Sequence, residues 1–351
     1  MKRFLITITA FVLAVSLCAC DLSFKAGEEN YESTTHEHEQ TPSGTVSTTE
    51  TLINSSETQT TSISISNTEL KDEKINWNDI VADGRNVKTF GDLNEDLSEI
   101  ETILDGYGQK ISVIAYSLDG KKAIAYNTNQ KYFSACTIKA GYVLSCCKQI
   151  DQGLYNADDV MKYESKHYHK GSGKIKNQPY GTKYSIKTLL HEALYISDNV
   201  AYEMLVDYFG HEYYNKMIKK LGCTGLELKG LWSHNVTVKD LAVLWSEIGS
   251  YLDSGAPMAE TLRKACTNSP YNYGSQFTSD VDYSHKSGDN FGDYAAYNDA
   301  GIMWAETPYV YVVLTNSEGG ATTKNVINKT MSKIFDIMQL DINEEVNDVA
   351  D

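Results

Sequence analysis

From about residue 93 the hydrophobic positions fall into two alternating periods. Leu93, Leu97, Ile100, Ile103 and Leu104 recur at helical spacing and predict a helix over Leu93–Tyr107. In the next segment, KISVIAYSLDGKKAIAYNTN, Ile111–Ser117 and Lys122–Tyr126 read as strands, with Leu118-Asp119-Gly120 as a tight hairpin turn. A long stretch from about 136 to 265 is mostly helical, with helices expected over Ile186–Leu194, Val200–Tyr208, Glu212–Leu221 and Val238–Leu252. Three more strands follow, Asp282–Ser287, Ala295–Ala305 and Tyr309–Asn316, and then a closing helix over Thr323–Met338. No internal repeat is visible. Strands at both ends with helices between them predict an α+β fold. It would have an antiparallel five-stranded sheet flanked by helices, plus an all-helical subdomain at about 140–265.

The pattern fails before residue 91. Lys2 and Arg3 precede an apolar run, Phe4–Ala19, that is short for a membrane span and reads as an export signal. It ends in Leu17-Cys18-Ala19-Cys20, similar to a bacterial lipobox, and makes Cys20 the expected lipid anchor. An ordinary secretory signal, cleaved nearby to leave a soluble product, is the alternative. Residues 21–90, Ser/Thr-rich and poor in aromatics, read as a flexible tether, and 343–351 as an acidic tail. His36 and His38 lie in that tether as solvated side chains. Residues 91–342 would form the folded domain, held outside the cell membrane.

Charge and cysteines narrow the choices. The formal charge is −16, of which residues 1–20 contribute +2 and 21–75 contribute −8, so the remainder is also acidic. Such a domain is ill suited to nucleic acid. Five cysteines (136, 146, 147, 223 and 266) fall in the domain, an odd number that leaves at least one thiol unpaired. Adjacent Cys146 and Cys147 sit in an apolar helical stretch and are expected to be buried. No zinc-spaced CxxC pair occurs, and His167 with His169 lacks a third ligand, so neither metal nor cofactor is expected.

Three short motifs carry the chemistry. Cys136-Thr137-Ile138-Lys139 opens a helix after the hairpin, Ser197-Asp198-Asn199 lies between helices, and Lys286-Ser287-Gly288 lies on the first late strand. In this order and context the chain resembles the class A β-lactamases and penicillin-binding serine acyltransferases, whose signatures are S-x-x-K, S-D-N and K-[ST]-G. The likeness spans roughly residues 95–340 and includes the segments SIKTLLHEALYISDNVAYEMLV and YVYVVLTN. It implies a nucleophile at 136 and a proton relay through Lys139 and Ser197. Asn199 would hold a substrate amide, and Asp198 would brace the turn. Lys286 and Ser287 would receive a substrate carboxylate, and Gly288 would let substrate approach the strand closely. The backbone N–H groups of Cys136 and Asp289 would form the oxyanion hole. The implied substrates are β-lactams or peptidoglycan peptides.

Two departures limit that expectation. The nucleophile position holds Cys136, and Ser134 lies five residues before Lys139, the wrong spacing. A thiolate beside a lysine at a helix start is a competent nucleophile, but sulfur is larger than oxygen and displaces the acyl carbonyl. In addition, only GLELKGLWSHNV (225–236) stands where the family's longer glutamate-bearing loop would be, leaving Glu227 and His234 as the only candidate bases. Two readings stay open. One is an acyl-transfer hydrolase acting slowly through a covalent intermediate; the other is an inactive binding lipoprotein of the same fold.

Overall fold

In a computed structural model, residues 74–340 are described, apart from 83–85, 92, 94–95 and 274–280. The expected signal, lipobox and most of the tether, with the acidic tail, lie outside the described residues. All described residues belong to one compact unit.

The hydrophobic hairpin nucleates the sheet. Strands β2 (Ile111–Ser117) and β3 (Lys122–Tyr126) pair antiparallel, with Ala115 opposite Ile124. The late strands β6 (Tyr283–Asn290), β7 (Ala296–Met303) and β8 (Tyr309–Thr315) form a meander, and β8 pairs antiparallel with β2. A sixth strand, β1 (Lys88–Gly91), adds to the free edge of β3. The order is therefore β1-β3-β2-β8-β7-β6, six strands where five were expected. Four residues ending in glycine carry too little alternation to register as a strand, and tertiary pairing alone holds them extended. Ordered packing also begins ahead of residue 91, because Ile80 and Ala82 are wholly buried.

Period-two alternation divides the sheet into two buried faces. Ile114, Tyr116, Ala123 and Ala125 pack on the helical side, whereas Val113, Ala115, Ile124 and Tyr126 pack on the other. The second face is covered by α1 (Ser98–Asp105) and the closing α8 (Ala321–Met338). The first helix is shorter than its periodicity suggested, although Leu93 is buried in the same cluster.

The helical side is built around α2 (Ile138–Asp151), which is buried nearly all round, as expected for a central helix. Around it lie α3 (Ile186–Tyr195), α4 (Asn199–Phe209), α5 (Glu212–Leu221), α6 (Val238–Leu252) and α7 (Ala259–Cys266). Thr237 caps α6 in a reciprocal capping box with Asp240. A small hairpin of β4 (Val160–Lys162) and β5 (Lys183–Ser185) interrupts this subdomain, which is thus not all-helical. Among the described residues no helix is long and apolar enough to cross a membrane.

The β6–β7 pair carries the Lys286-Ser287-Gly288 motif, and Gly301 fixes its spacing. A Cβ at 301 would stand 2.3 Å from the Ser284 carbonyl oxygen and 2.6 Å from His285 Cβ, neither of which can swing away. Gly301→Ala should therefore destabilise the protein by about 1–3 kcal/mol in urea denaturation. An unchanged midpoint would contradict this packing.

Candidate active site

The nucleophile motif sits on a strained turn. Ala135 has φ of 44° and starts a short 3-10 segment, Ala135–Thr137, that runs directly into α2. Ser197, in the turn before α4, also has positive φ, 56°. Non-glycine residues held this way cost energy that the surrounding packing must offset, and such residues cluster at functional sites.

The Ser197 turn is fixed by Asp198. One carboxylate oxygen accepts the backbone N–H groups of Val200 and Ala201 at 2.9 and 3.0 Å, capping α4. The other accepts those of Lys174 and Ile175 at 2.7 and 2.9 Å, tying down the preceding loop. Gly173 packs so closely that a Cβ would lie 2.2 Å from Asp198 Cγ. Asp198 is thus a brace, as its position implied.

Lys139 is fully buried and connects the first two motifs. Its ammonium donates to the Ser197 carbonyl at 2.8 Å and to Asn199 Oδ1 at 2.7 Å, and lies 3.5 Å from Ser197 Oγ. Cys136 Sγ lies 3.9 Å from the same Asn199 oxygen. Asn199 Nδ2 donates to the Lys170 carbonyl at 2.8 Å, which fixes the amide's orientation. Ser134 points elsewhere, its hydroxyl accepting the Ser233 N–H at 3.1 Å.

The third motif joins along the edge of the sheet. Trp304 N–H donates to the Asp282 carbonyl, and the register pairs Tyr283 with Met303. Even-numbered residues of β6 therefore exchange backbone bonds with β7, and Tyr283, His285, Ser287 and Asp289 turn theirs to the open edge. Asn268 N–H, donating to the Tyr283 carbonyl from that side, fits this parity. The Asp289 N–H thus has the direction that an oxyanion donor needs.

Gly288 has a different role from the one expected. A Cβ there would stand 2.5 Å from Cys136 N and 2.9 Å from Thr137 N. The missing side chain lets the strand close on the nucleophile turn, so it is protein rather than substrate that fills this space. Lys286 is also more enclosed than expected. It is 1% exposed, and its ammonium donates to the Ser287 carbonyl at 2.6 Å. Burial pulls its pKa down to about 8, only partly opposed by the Cys136 sulfur.

The segment replacing the glutamate-bearing loop brings an aromatic ring to Lys139. The ammonium lies 5.6 Å from the centroid of Trp232 and 5.5 Å from that of Tyr202. Neither candidate base joins it. Glu227 lies 3.9 Å from Lys219, and His234 packs against Phe133 and Tyr294. Trp232 and Tyr202 belong to no sequence motif, because a ring cage has no spacing of its own. His167 is likewise committed, with Nε2 at 3.1 Å from Asp207 and Nδ1 accepting the Glu164 N–H. Among the described residues no cluster of three metal-ligating side chains occurs.

A cleft of about 340 Å³ opens beside these groups, lined by Ser197, Ser287 and Asp289 at the reacting end and by Tyr273, Tyr297 and Lys324 beyond. The five described cysteines are free thiols. Burial pushes those of Cys146 and Cys147 up strongly, and those of Cys223 and Cys266 up to about 12.

The Beta-lactamase enzyme family matches residues 97–338, and the chain belongs to that family. A β-lactamase from Sphaerobacter thermophilus DSM 20745 superposes with a TM-score of 0.61 at 18% identity, covering 70% of this chain and 98% of that one. A β-lactamase from Chitinophaga pinensis DSM 2588 gives 0.62 at 18% identity, covering 68% and 97%. PBP-A gives 0.60 at 17%, covering 68% and 95%. No curated protein matches the chain.

The buried Lys286 generates a pH test. Its lowered pKa means that folding disfavours the charged form, so the penalty is whole below about 8 and fades as pH rises toward the ordinary 10.5. Lys286→Met should therefore raise Tm most at pH 7, with a smaller gain at pH 10. A gain that grows with pH would contradict the assignment.

Proposed function

We propose that this chain is an acyl-transfer hydrolase using Cys136 as nucleophile on β-lactams or peptidoglycan peptides, with deacylation as the slow step. The observation that carries the reading is the meeting of Cys136 Sγ and Lys139 Nζ on one atom, Asn199 Oδ1. In the proposed reaction the sulfur has given its proton to Lys139 and attacks the acyl carbon. A C–S bond forms, the C–N bond breaks, and the leaving nitrogen takes the proton from Lys139 through Ser197 Oγ. Water would then cleave the thioester, delivering a proton to Lys139 and releasing the thiolate. The N–H groups of Cys136 and Asp289 would stabilise the oxyanion in both halves.

The slow second half follows from Trp232. Hydrolysis of the acyl-enzyme needs a base reaching the acyl carbonyl through one water, and the segment that could supply it brings an indole to Lys139. The same observation favours a second reading, a binding protein of this fold that no longer turns over. A point mutant of PBP-A, a protein of this fold, forms an acyl-enzyme complex with penicillin G, which supports the covalent step proposed for this chain. Export and a lipid anchor at Cys20 are part of the proposal, resting on the apolar run and lipobox. They would place the site in the cell envelope, where such substrates occur.

Intact-protein mass spectrometry tests the reading after exposure to benzylpenicillin and to a peptide thioester. A persistent adduct of the mass of the added acyl group is expected, absent in Cys136→Ala, with half-life at least tenfold longer than its formation time. Cys136→Ser should be acylated by the penicillin. Tight ligand binding without any adduct would instead establish the binding protein.

A further inference from the structure

The small hairpin of β4 and β5 carries a charge pattern that internal packing does not explain. Its register pairs Val160 with Ser185, Met161 with Tyr184 and Lys162 with Lys183. Met161 and Tyr184 pack inward against the core, so by strand alternation Val160, Lys162, Lys183 and Ser185 face outward. Tyr163 N–H donates to the Thr182 carbonyl at 2.8 Å, which makes Lys162 and Lys183 the adjoining non-hydrogen-bonded pair, whose side chains stand closest. Like charges placed directly opposite in this way are destabilising.

Neighbouring groups do not relieve that repulsion. Lys166 pairs with Asp207 at 3.0 Å and Lys174 with Glu192 at 3.0 Å. Asp158 and Asp159 stand just before β4, and Asp159 accepts the Tyr208 hydroxyl at 2.6 Å. Glu164 lies 3.6 Å from Lys166. Among the described residues no ion pair or hydrogen bond engages the ammonium of Lys162 or of Lys183. Residues 160–187 hold seven lysines and one carboxylate, in a chain of net charge −16. At physiological salt the Debye length is about 8 Å, so distant carboxylates are screened and the hairpin acts locally as a cation.

The same segment exposes apolar surface. Of the eight large hydrophobic side chains exposed among the described residues, four lie here: Leu154, Val160, Tyr168 and Tyr180. Val160 shares the outward face with Lys162, and Tyr180, 60% exposed, sets its ring 5.1 Å from that of Tyr163. Lysines interleaved with exposed apolar and tyrosine side chains suit a lipid interface, where stems and rings enter the headgroup layer and ammoniums meet phosphate. A soluble polyanion would satisfy the lysines and leave the apolar side chains in water.

We propose that the outward face of the β4–β5 hairpin docks on a bilayer rich in anionic phospholipid, with Lys162 and Lys183 together holding phosphate headgroups. The inference is independent of the chemistry at Cys136. The loop between the two strands carries Ser172, which lines the cleft, so docking would hold the cleft near the lipid surface.

Lysine footprinting of the full chain tests this. The acetylation rate of each lysine by sulfosuccinimidyl acetate is read by peptide mapping, with vesicles of phosphatidylcholine alone or mixed with phosphatidylglycerol. Lys162 and Lys183 should react at least fivefold more slowly with the mixed vesicles, whereas exposed Lys329, on α8 across the sheet, should change less than twofold. Each lysine near an anionic surface strengthens binding about fivefold, so Lys162→Gln/Lys183→Gln should cut the preference for mixed over neutral vesicles at least tenfold. Both proteins share residues 1–20, whose contribution cancels in the comparison. The Tm of the double variant should equal or exceed that of wild type, because the cross-strand repulsion is gone. No slowing at Lys162 and Lys183, equal slowing by neutral vesicles, or a preference that survives the double substitution would each overturn the proposal. A lower Tm would overturn it too, by showing the pair satisfied within the fold. Equal protection by soluble polyphosphate at the same phosphate concentration would overturn the bilayer as partner.

Discussion

A fully buried ammonium constrains this fold more than any other group. Lys139 lies on the central helix with none of its surface exposed, and an isolated charge in that position would be very costly. Its cost is offset by the Ser197 carbonyl, by Asn199 Oδ1 and by two aromatic rings. Each of those partners must itself be held. Ser197 is kept at positive φ by the turn that Asp198 braces, and Asn199 is oriented by the Lys170 carbonyl. The loop, the turn and two helices are therefore organised around one nitrogen.

That organisation brings the sulfur of Cys136 to the same polar centre and closes the edge strand behind it. Gly288 is the point of contact, because only a residue without a side chain lets β6 reach the backbone of the nucleophile turn. The same closure encloses Lys286 and turns its ammonium to the Ser287 carbonyl. The cleft is lined by Asp289, Glu318 and Lys324, with Lys139 and Lys286 beneath it.

The two periodicities made the architecture legible. Glu212–Leu221 and Val238–Leu252 begin and end where the spacing placed them, and the five longer strands lie within a few residues of expectation. The sixth strand, Lys88–Gly91, and the hairpin of Val160–Lys162 with Lys183–Ser185 were missed, since three or four residues held by tertiary pairing leave little periodic trace. In the site, motif order identified Cys136, Lys139, Ser197, Asn199 and the β6 triplet, which the fold brings to one region. It could not reveal Trp232 or Tyr202, whose contribution is a ring face at a distance, nor the charge that Asp289 adds to the cleft beyond its backbone N–H. Residue types at fixed spacing are visible in a chain, whereas the electrostatics of a cleft depend on which groups the fold turns inward.

The central claim is that Cys136 and Lys139 are coupled through one polar centre, both lying against Asn199 Oδ1. The most direct test is the second-order rate of Cys136 alkylation by iodoacetamide, a small uncharged reagent, in wild type and Lys139→Met, with each modified cysteine located by peptide mapping. The Cys136 rate at pH 7 should fall at least tenfold in the variant while the buried thiols stay unmodified in both. An equal rate in the two proteins would contradict the coupling.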